Sequence, residues 1–456
     1  MCGIIGVSGT NHVGLDVYEG LHAVQHRGKD GGGLVSFSDG VFNGPFMRDG
    51  IIAEAFTEGE IRGLDGAIAL GHVRYATQGG RNKLDAARDA QPLLFKHTRN
   101  GAIAVAHNGD IRTAPQLRTD YLAIGGFFQG TSDTEVILHN FAKATNDSLD
   151  SLLTQTLEPI QEGAYSLVMI VDGKLVGARD VNGFRPLVLG KKEGGYMLAS
   201  ETVALKRARA SYIREVEPGE IIVVEDSGPR SIRPFGVRSE GKQKKCVFEY
   251  AYFARPDGLL FNTNVAAVRR EFGEILARKF PNLSTDMVGA VPDSGNDATI
   301  GYCHASGKPF EIVFSRDHFA GRTFIDPDGE KRAAKVRAKL SPYEGLEGKV
   351  VTLVDDSLVR STTSRELVKM LKEVGVQGVN MLIAFWPFAY HCKYGIDTAD
   401  DGELASHSMN PEEIRKYIGA DFLGFLDQAE VLSAMKKVGG LEGFCTACSD
   451  GEYPVS

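Results

Sequence analysis

The sequence predicts two unlike halves, an α+β sandwich of antiparallel sheets followed by an α/β domain built on a parallel sheet. Three observations support this prediction. The chain has 456 residues, more than one hydrophobic core usually supports. The first half alternates short apolar runs and turns, whereas the second contains a strand–helix–strand unit. Between them, residues 225–245 are polar and basic, which predicts a domain junction.

Composition and charge argue against several classes of function. Apolar residues make up 43% of the chain, enough for large cores, and the formal net charge is −8. This balance argues against a general nucleic-acid or membrane-surface binder. No apolar run approaches the roughly 20 residues of a membrane span, and the N-terminus lacks the features of a signal peptide. We therefore expect a cytoplasmic protein without nucleic-acid or membrane partners.

Short apolar runs bounded by turns predict the strands of the first half. A helix is predicted at Ser132–Ala144, because its opening Ser-Asp-Thr-Glu is typical of a helix N-terminus. Short strands with few helices predict antiparallel sheets in layers. The predicted strands are Ile4–Val7, Ala102–Ala106, Tyr165–Val171, Lys174–Ala178 and Glu220–Val224.

In the second half, two apolar runs flank an amphipathic segment. Lys349–Val354 and Val379–Phe385 are predicted buried parallel strands, and Thr363–Val374 is the helix between them. Such a crossover is right-handed in nearly all proteins, and ligands bind at the carboxyl ends of its strands. The side chains predicted to line the buried face of the helix are Leu367, Leu371 and Val374.

Cys2 occupies an unusual position for a buried thiol. A small hydrophobic role is the simpler interpretation of any one cysteine. Removal of the initiator methionine, however, would make Cys2 the N-terminus and place its thiol beside an α-amino group with a pKa of roughly 8. N-terminal nucleophiles use that amine as their own base. We therefore treat Cys2 as a candidate nucleophile that requires partners elsewhere in the chain.

The strand end at residues 350–364 is rich in acids and hydroxyls. Asp355 and Asp356 follow the predicted strand, and a hydroxyl-rich loop leads into the helix. Backbone N–H groups and hydroxyls at a helix N-terminus bind phosphate, and paired acids bind sugar hydroxyls or Mg²⁺. An N-capped helix after an acidic turn is the plainer alternative. The spacing of a Walker A loop is absent.

Cysteine spacing suggests a ligand site. Cys445 and Cys448 form C-x-x-C, while Cys246 and Cys392 lie far upstream. From the residues alone, redox, zinc and iron–sulfur roles all remain open, and structural zinc is the simplest of them. Cys303 is predicted to be a core thiol.

Ordered motifs along almost the whole chain resemble the glutamine phosphoribosylpyrophosphate (PRPP) amidotransferase family. The resemblance implies an N-terminal-nucleophile (Ntn) hydrolase sandwich over residues 2–234 and a type I phosphoribosyltransferase domain with an iron–sulfur tail over 235–456. It further implies glutamine-dependent transfer of ammonia to PRPP, the first committed step of purine synthesis. The motifs are "MCGIIGV" (1–7), "QHRGKDGGG" (25–33), "GHVRYATQGG" (71–80), "AHNGD" (106–110), "TSDTE" (131–135), "GFRPL" (183–187), "SETVAL" (200–205), "CVFEYAYFARPD" (246–257), "VPDSG" (291–295), "GRTFI" (321–325), "VVTLVDDSLVRSTTS" (350–364), "YGID" (394–397) and "IGADFLGFL" (418–426).

By this resemblance, the first half hydrolyses glutamine. Cys2 would attack the side-chain amide, and Asn108 with the Gly109 backbone would form the oxyanion hole, each such donor contributing about 3 kcal/mol. Glutamine itself would be bound by Arg27, Arg74 and Asp133.

The same resemblance assigns the PRPP site and its cofactor. An internal channel would deliver ammonia when a basic loop near Arg322–Lys339 closes, although an ordinary solvated loop explains that composition equally well. Mg²⁺ would be bound near Ser294, Asp355 and Asp356. PRPP would contact Asp355, Asp356, Ser357, Arg360, Ser361, Thr362, Thr363 and Ser364.

The four spaced cysteines match the subset of the family that contains a [4Fe–4S] cluster. The resemblance therefore implies one structural cluster bound by Cys246, Cys392, Cys445 and Cys448. It also implies purine nucleotides as feedback inhibitors and a homo-oligomer, either a dimer or a tetramer.

Departures from the family pattern lie mainly in the second half. The family usually has serine at Gly258, glycine at Ser361, a loop glutamine at Gly329, and small residues with two prolines around Phe385–Trp386. A serine in place of glycine adds a β-carbon where backbone must approach phosphate. The alternative function is a glutaminase whose second half uses another acceptor or acts as a nucleotide-binding regulatory module. A non-catalytic iron–sulfur scaffold would leave Cys2 and its partners unexplained.

Overall fold

The computed structural model describes residues 1–64, 66–75, 89–145, 147–317, 329–398 and 400–455. Three predicted features lie wholly or partly outside the described residues. They are residues 76–80 of the motif at 71–80, the motif at 321–325, and residues 322–328 of the predicted closing loop.

The first half is a sandwich of two antiparallel sheets. Its strands are β1 (Gly3–Ser8), β2 (Gly31–Ser38), β3 (Val41–Asp49), β4 (Ile68–Arg74), β5 (Leu93–His97), β6 (Gly101–Asp110), β7 (Ala164–Val171), β8 (Lys174–Arg179), β9 (Val188–Lys192), β10 (Gly195–Ala199), β11 (Ser211–Glu215), β12 (Ile221–Glu225) and β13 (Gly228–Ile232). One sheet has the order β11-β9-β10-β1-β4-β2-β3 and the other β13-β12-β8-β7-β6-β5. Apolar side chains of both, such as Ile4 and Val168, meet between the sheets.

Helices cover the outer faces of this sandwich and complete an α+β architecture of four layers. Valines and leucines of α1 pack against the sheet that contains β1, and those of α5 and α6 pack against the other sheet. The helices are α1 (Val13–Ala23), α2 (Ile52–Ala55), α3 (Glu58–Arg62), α4 (Ala114–Ala123), α5 (Glu135–Lys143), α6 (Leu149–Leu157) and α7 (Thr202–Arg207), with 3₁₀ turns at Gln25–Arg27 and Glu158–Ile160.

The second half is built on a four-stranded parallel sheet in the order β17-β20-β21-β22. Helices α8 to α15 surround it, and Glu249–Phe253 forms a π-helix. The strands are β14 (Lys245–Cys246), β15 (Leu259–Leu260), β16 (Thr263–Asn264), β17 (Met287–Ala290), β18 (Phe314–Arg316), β19 (Leu340–Pro342), β20 (Val350–Asp355), β21 (Gly378–Ile383), β22 (Phe422–Phe425) and β23 (Phe444–Cys445). The helices are α8 (Val265–Lys279), α9 (Asn296–Ser306), α10 (Gly329–Lys339), α11 (Thr362–Glu373), α12 (Ala405–Ser408), α13 (Pro411–Ile418), α14 (Gln428–Gly439) and α15 (Ala447–Asp450), with 3₁₀ turns at Glu240–Lys242 and Asp401–Glu403.

Three local expectations need correction. Helix α5 begins at Glu135 rather than Ser132, because the Asp133 carboxylate accepts a hydrogen bond from the Ile111 N–H instead of capping the helix. Val374 is 41% exposed because it follows the last residue of α11. Part of the polar stretch at 225–245 is strand β13, which pairs with β12.

Hydrogen bonds join the start of the second half to one loop of the first. The Lys244 N–H donates to the Asn182 carbonyl at 2.8 Å, and the Cys246 N–H donates to the Phe184 carbonyl at 3.1 Å. Cys246 also pairs with Cys445, because β14 and β23 form a short parallel ladder. The end of the chain therefore lies against the junction of the two halves.

Buried charges connect the halves. The guanidinium of Arg27 is fully buried between two carboxylates, Glu201 of the first half and Glu249 of the π-helix, with Nη2 2.6 Å from Glu249 Oε2. Arg185 Nη1 lies 3.7 Å from Glu249 Oε1. Burial opposes ionisation of Glu201, but Arg27 and His26 outweigh it and lower the pKa of this carboxyl. Each of these charges therefore depends on the others for compensation.

We predict that Glu249→Ala lowers the free energy of unfolding by about 3–5 kcal/mol, because two arginines lose a buried counter-charge. Differential scanning calorimetry should show a large fall in the thermal midpoint. The control is Glu58→Ala, which removes an exposed ion pair with Arg62 and should leave the midpoint unchanged. Equal shifts for the two variants would contradict this account.

Candidate functional site

Cys2 immediately precedes the first residue of β1 and lies beside the last residue of β4. The register pairs Gly3 with Val73, so Cys2 and Arg74 are neighbours across the ladder. The Cys2 backbone N–H donates to Asn108 Oδ1 at 3.1 Å, and Cys2 Sγ lies 3.9 Å from the Tyr75 carbonyl oxygen. Three distant motifs therefore meet at the N-terminus.

Met1 covers this position and is itself buried. Its side chain is 1% exposed and belongs to the apolar core of the second half. Burial lowers the pKa of its α-amino group, and the cations of Arg185 and Arg27 lower it further. Removal of Met1 would transfer the free amine to Cys2, where Asn108 already supplies an acceptor.

Asn108 and Gly109 lie close to the end of β6, where they pair with Ser166 and Tyr165 of β7. Asn108 is fully buried, and its Nδ2 has no acceptor among the described residues. A β-carbon at Gly109 would lie 1.9 Å from the Ala164 carbonyl oxygen, so only glycine fits there. An amide donor without a partner, held rigidly beside Cys2, has the chemistry that an oxyanion requires.

Two acids, Asp110 and Asp133, lie close together near the end of β6. Asp133 Oδ2 accepts from the Ile111 N–H at 2.8 Å, which fixes its carboxylate. Burial, with the Asp133 charge as a further cause, raises the pKa of Asp110 to about 7. A bound cation would offset both the burial of Asp110 and the repulsion between the two carboxylates, so the pair suits an α-ammonium group. Sequence reasoning missed Asp110, although it ends the quoted motif at 106–110.

The Asp89 carboxylate interacts with both Arg74 and the loop before α5. Arg74 is 9% exposed, and its Nη2 lies 3.6 Å from Asp89 Oδ2. The other oxygen, Asp89 Oδ1, accepts from the Thr131 and Ser132 N–H groups at 2.7 and 2.8 Å. This arrangement places Arg74 on the side of the site that contains Asp133.

Arg27 is placed differently from the other predicted glutamine ligands. Its Nε, Nη1 and Nη2 all donate to carboxylates, the first to Glu201 and the other two to Glu249. Any effect of Arg27 on glutamine is therefore exerted through the junction of the halves. No local sequence pattern indicates these partners.

In the second half, the predicted acids lie at the carboxyl end of β20. Asp355 and Asp356 are 6% and 7% exposed. Burial raises the pKa of both carboxyls, and for Asp355 the neighbouring Asp356 is the next cause. Ser294 and Ser357 hydrogen-bond to Asp356, and the cation of Arg269 faces it. Two buried acids with partly suppressed ionisation form a site that fits a cation.

The hydroxyl-rich loop leads directly into α11. Ser361 has a left-handed backbone (φ 61°), which costs roughly 1 kcal/mol without glycine. Its Oγ is buried and has no partner among the described residues, and no side chain caps the helix. Arg360 Nε lies 3.0 Å from Glu403 Oε2. Of the remaining predicted contacts, Ser364 is buried, Ser357 and Thr362 are partly exposed, and Thr363 is exposed.

Two features connect the candidate sites of the two halves. Tyr252 is 49% exposed, and its partial burial together with the charges of Asp356 and Tyr75 raises its pKa to about 12. A β-carbon at Gly395 would lie 2.5 Å from the Gly109 carbonyl oxygen, so the segment after Cys392 packs on the end of β6. Elements of the second half therefore form part of the wall around Cys2.

The four spaced cysteines line one enclosed cavity. Cys246, Cys392, Cys445 and Cys448 surround it together with Phe184, Arg185 and Tyr394. Burial raises the pKa of Cys246 to about 11 and that of Cys445 to about 12. In the described part of the chain, no three His, Cys, Asp or Glu side chains converge as a single metal ion requires. Cys303 packs against the second-half core, away from this cavity.

Comparisons with known proteins match the whole chain. The glutamine amidotransferase domain family matches residues 58–222. Amidophosphoribosyltransferase of Bacillus subtilis is 40% identical over 457 residues, covering 100% of this chain and 94% of the relative. Chloroplastic amidophosphoribosyltransferase of Vigna aconitifolia is 42% identical, covering 100% and 91% respectively.

A solved structure agrees with the fold of both halves. It is glutamine PRPP amidotransferase from B. subtilis complexed with ADP and GMP, with a TM-score of 0.89 and 39% identity, covering 100% of this chain and 98% of that one. The expected Ntn-hydrolase sandwich followed by a phosphoribosyltransferase domain is thereby confirmed. No helix in the described ranges is long and apolar enough to cross a membrane.

We predict that buried His72 makes the protein less stable in acid. Burial, Arg74 and His107 lower its pKa from 6.5 to about 3. Between pH 3 and 6.5, His72 binds a proton in the unfolded chain but not in the folded chain. The contribution of neutral His72 to the free energy of unfolding is therefore complete above pH 6.5 and is lost as the pH falls towards 3. One proton sets the slope, about 1.4 kcal/mol per pH unit.

Chemical denaturation between pH 4 and 7 measures this slope. His72→Leu should reduce the slope, whereas His12→Gln, at an exposed position, should retain it. A His72→Leu slope equal to that of the wild type would contradict the prediction.

Proposed function

The chain belongs to the amidophosphoribosyltransferase family, and from that premise we propose how its residues divide the reaction. The enzyme transfers ammonia from glutamine to PRPP and forms 5-phosphoribosylamine, glutamate and pyrophosphate in purine synthesis. The full-length relatives do not favour another acceptor for the second half or a purely regulatory role. We place the boundary between the two domains at residues 234 and 235.

In the proposed glutamine site, Cys2 is the nucleophile after removal of Met1. The α-amino group accepts the thiol proton, and the sulfur attacks the amide carbon. Asn108 Nδ2 and the Gly109 N–H stabilise the oxyanion. The contact between Cys2 N and Asn108 Oδ1 is the observation on which this proposal chiefly depends, because it joins nucleophile and oxyanion donor directly.

Charge complementarity selects glutamine in this proposal. Arg74 pairs with the α-carboxylate, for which a guanidinium is suited. Asp133 and Asp110 receive the α-ammonium, whose charge would return Asp110 to its ionised form. Arg27 acts indirectly, since it fixes the position of Glu201 and Glu249.

In the proposed transferase site, Asp355 and Asp356 bind the ribose hydroxyls of PRPP together with Mg²⁺. The raised pKa values of both acids fit a site that receives a cation, with the Ser294 hydroxyl close by. The magnesium ion would neutralise pyrophosphate as it leaves. Hydroxyls and N–H groups of Ser357–Ser364 bind the phosphate, including the unpartnered Ser361 Oγ.

We propose that ammonia passes between the sites inside the protein. Tyr252 is influenced by the charges of Asp356 and Tyr75, and Gly395 packs on Gly109, so the passage would run between the halves. Burial matters because water would convert ammonia to ammonium, which is not a nucleophile.

For the cysteines we propose a [4Fe–4S] cluster. Tetrahedral zinc with bonds of about 2.3 Å requires sulfurs within about 3.8 Å of one another. In the described part of the chain, the four cysteines line one common cavity. A cube of iron and sulfide spans wider separations, and thiolate ligation completes it. Four thiolates serve both zinc and iron–sulfur sites, and we propose the cluster because the four positions match the family subset that contains one.

Further properties follow from the relatives as proposals. The B. subtilis structure contains ADP and GMP, so we propose purine nucleotides as inhibitors of this enzyme. We also propose a homo-oligomer, a dimer or tetramer. All six cysteines are free, which suits a cytoplasmic location.

Cys2→Ala should reduce glutamine-dependent product formation by about 10³-fold or more, because the nucleophile is lost. Activity with free ammonia and PRPP should stay within twofold of the wild type. Cys303→Ala is the matched control and should retain both activities. Normal glutamine hydrolysis by Cys2→Ala would refute the assignment.

Asp356→Asn should weaken PRPP binding by about tenfold or more, about 1.4 kcal/mol, because a ligand of the sugar and cation is lost. Isothermal calorimetry with Mg²⁺ measures this. Labelling of Cys2 by a reactive glutamine analogue should be unaffected. Glu344→Gln, an exposed acid in the same domain, is the control, and unchanged affinity in Asp356→Asn would exclude the role.

Protein purified without oxygen should contain about four iron and four sulfide per chain. Cys448→Ser should lose them and Cys303→Ser should keep them. Iron and sulfide analysis with zinc determination decides the identity of the site. Stoichiometric zinc without sulfide would replace the cluster with a zinc site.

A further inference from the structure

A buried glutamine, Gln91, connects two parts of the proposed glutamine site that come from different elements. It lies two residues before β5 and is 7% exposed. Its Oε1 accepts from the His107 backbone N–H at 2.7 Å, and its Nε2 lies 2.9 Å from Thr134 Oγ1. His107 immediately precedes Asn108, and Thr134 immediately follows Asp133. One amide group therefore links the neighbour of the proposed oxyanion donor to the neighbour of the proposed ammonium ligand.

The orientation of this amide is fixed by its partners. A backbone N–H can only donate, so the amide atom that faces His107 must be the oxygen, Oε1. Nε2 consequently faces Thr134, whose hydroxyl oxygen accepts from it. The Thr134 hydroxyl hydrogen remains available for Asp133 Oδ1 at 3.4 Å or His107 Nδ1 at 3.0 Å. In either case, the chain of hydrogen bonds that begins at Gln91 ends at Asp133 or at the residue before Asn108.

The surroundings of Gln91 hold it rigidly. A β-carbon at Gly33 of β2 would lie 2.1 Å from the Gln91 carbonyl oxygen, so the Gln91 backbone packs directly against the opposite sheet. Thr134 is fully buried, and His107 is 3% exposed. Because all three side chains are buried, water cannot readily replace a lost hydrogen-bond partner.

The same short segment also reaches the third polar group of the site. Asp89, two residues before Gln91, lies 3.6 Å from Arg74 Nη2. Residues 89–91 therefore contact Arg74 directly, and they contact Asn108 and Asp133 through the neighbours of these two residues.

We propose that Gln91 is a positioning residue for glutamine hydrolysis, whose side-chain amide sets the distance between Asn108 and Asp133. This inference rests on the proposed glutamine site, and it assigns no contact between Gln91 and glutamine. Glutamine must place its α-ammonium at Asp133 while its side-chain carbonyl reaches Asn108, so both groups must be held precisely. The oxyanion donor acts in the transition state, whereas the ammonium ligand binds substrate already in the ground state. Loss of Gln91 therefore affects kcat as well as KM.

The experiment measures glutamate formation by the full chain with PRPP and Mg²⁺ over a range of glutamine concentrations. Gln91→Met keeps a side chain of similar length without donor or acceptor, and should lower kcat about tenfold and raise KM about threefold. Thr134→Val removes the hydroxyl branch but keeps the bond to the His107 N–H, so it should raise KM about threefold and leave kcat within about twofold. Gln91→Glu restores the acceptor for that N–H and should return kcat to within about threefold of the wild type.

Asn140→Leu is the matched control, because Asn140 is a buried amide that joins α5 to α6, with Nδ2 3.0 Å from the Thr156 carbonyl oxygen. It should lower the thermal midpoint and keep kcat and KM within about twofold of the wild type. Wild-type kcat and KM in folded Gln91→Met would overturn the proposal, as would equal kinetic losses in Asn140→Leu. Should Gln91→Met not fold, an unchanged KM in Thr134→Val would overturn it. Normal glutamine hydrolysis by Cys2→Ala would instead refute the glutamine site itself.

Discussion

The structure depends on the compensation of charges buried where its two halves meet. Arg27 is enclosed by Glu201 from the first half and Glu249 from the second, and Arg185 approaches the same Glu249. The free-energy cost of removing such groups from water is offset only when every charged partner is in place. Neither half could keep these side chains charged and buried alone. The position of Cys2, whose covering methionine lies beside both arginines, thus follows from the closure of the whole molecule.

The same junction links the cysteine cavity with the chemistry at the N-terminus. Arg185 donates from its Nε to the Tyr394 carbonyl oxygen at 3.0 Å, and the Tyr394 ring stacks on Phe184. Tyr394 is two residues from Cys392 and adjoins Gly395, which packs on Gly109 of β6. Ligation of the cysteines would therefore stabilise a segment that belongs to the glutamine site. The proposed cluster and the proposed glutamine site therefore share one piece of backbone.

Local patterns sufficed for much of the fold and for part of the site. The apolar run at 349–354 and the acids after it predicted β20 and its carboxyl end, because strand geometry and ligand placement in parallel sheets follow general rules. Resemblance supplied Asn108 and Asp133. The partners of Arg27 could not be predicted, since a buried ion pair between residues more than 170 positions apart has no local signal. Asp110 was missed because its environment, and not its spacing, changes its ionisation.

Burial of Met1 constrains the order of events during synthesis. For the proposed removal of Met1, an aminopeptidase must reach the methionine, yet its side chain ends in a core made mostly of residues after 245. Ribosomes add about 5–20 residues per second, so the N-terminus stays uncovered for tens of seconds before that core exists. The proposed removal of Met1 would therefore have to take place during synthesis. A chain that folds before this removal would bury its methionine and lack the free amine that the proposed reaction at Cys2 requires.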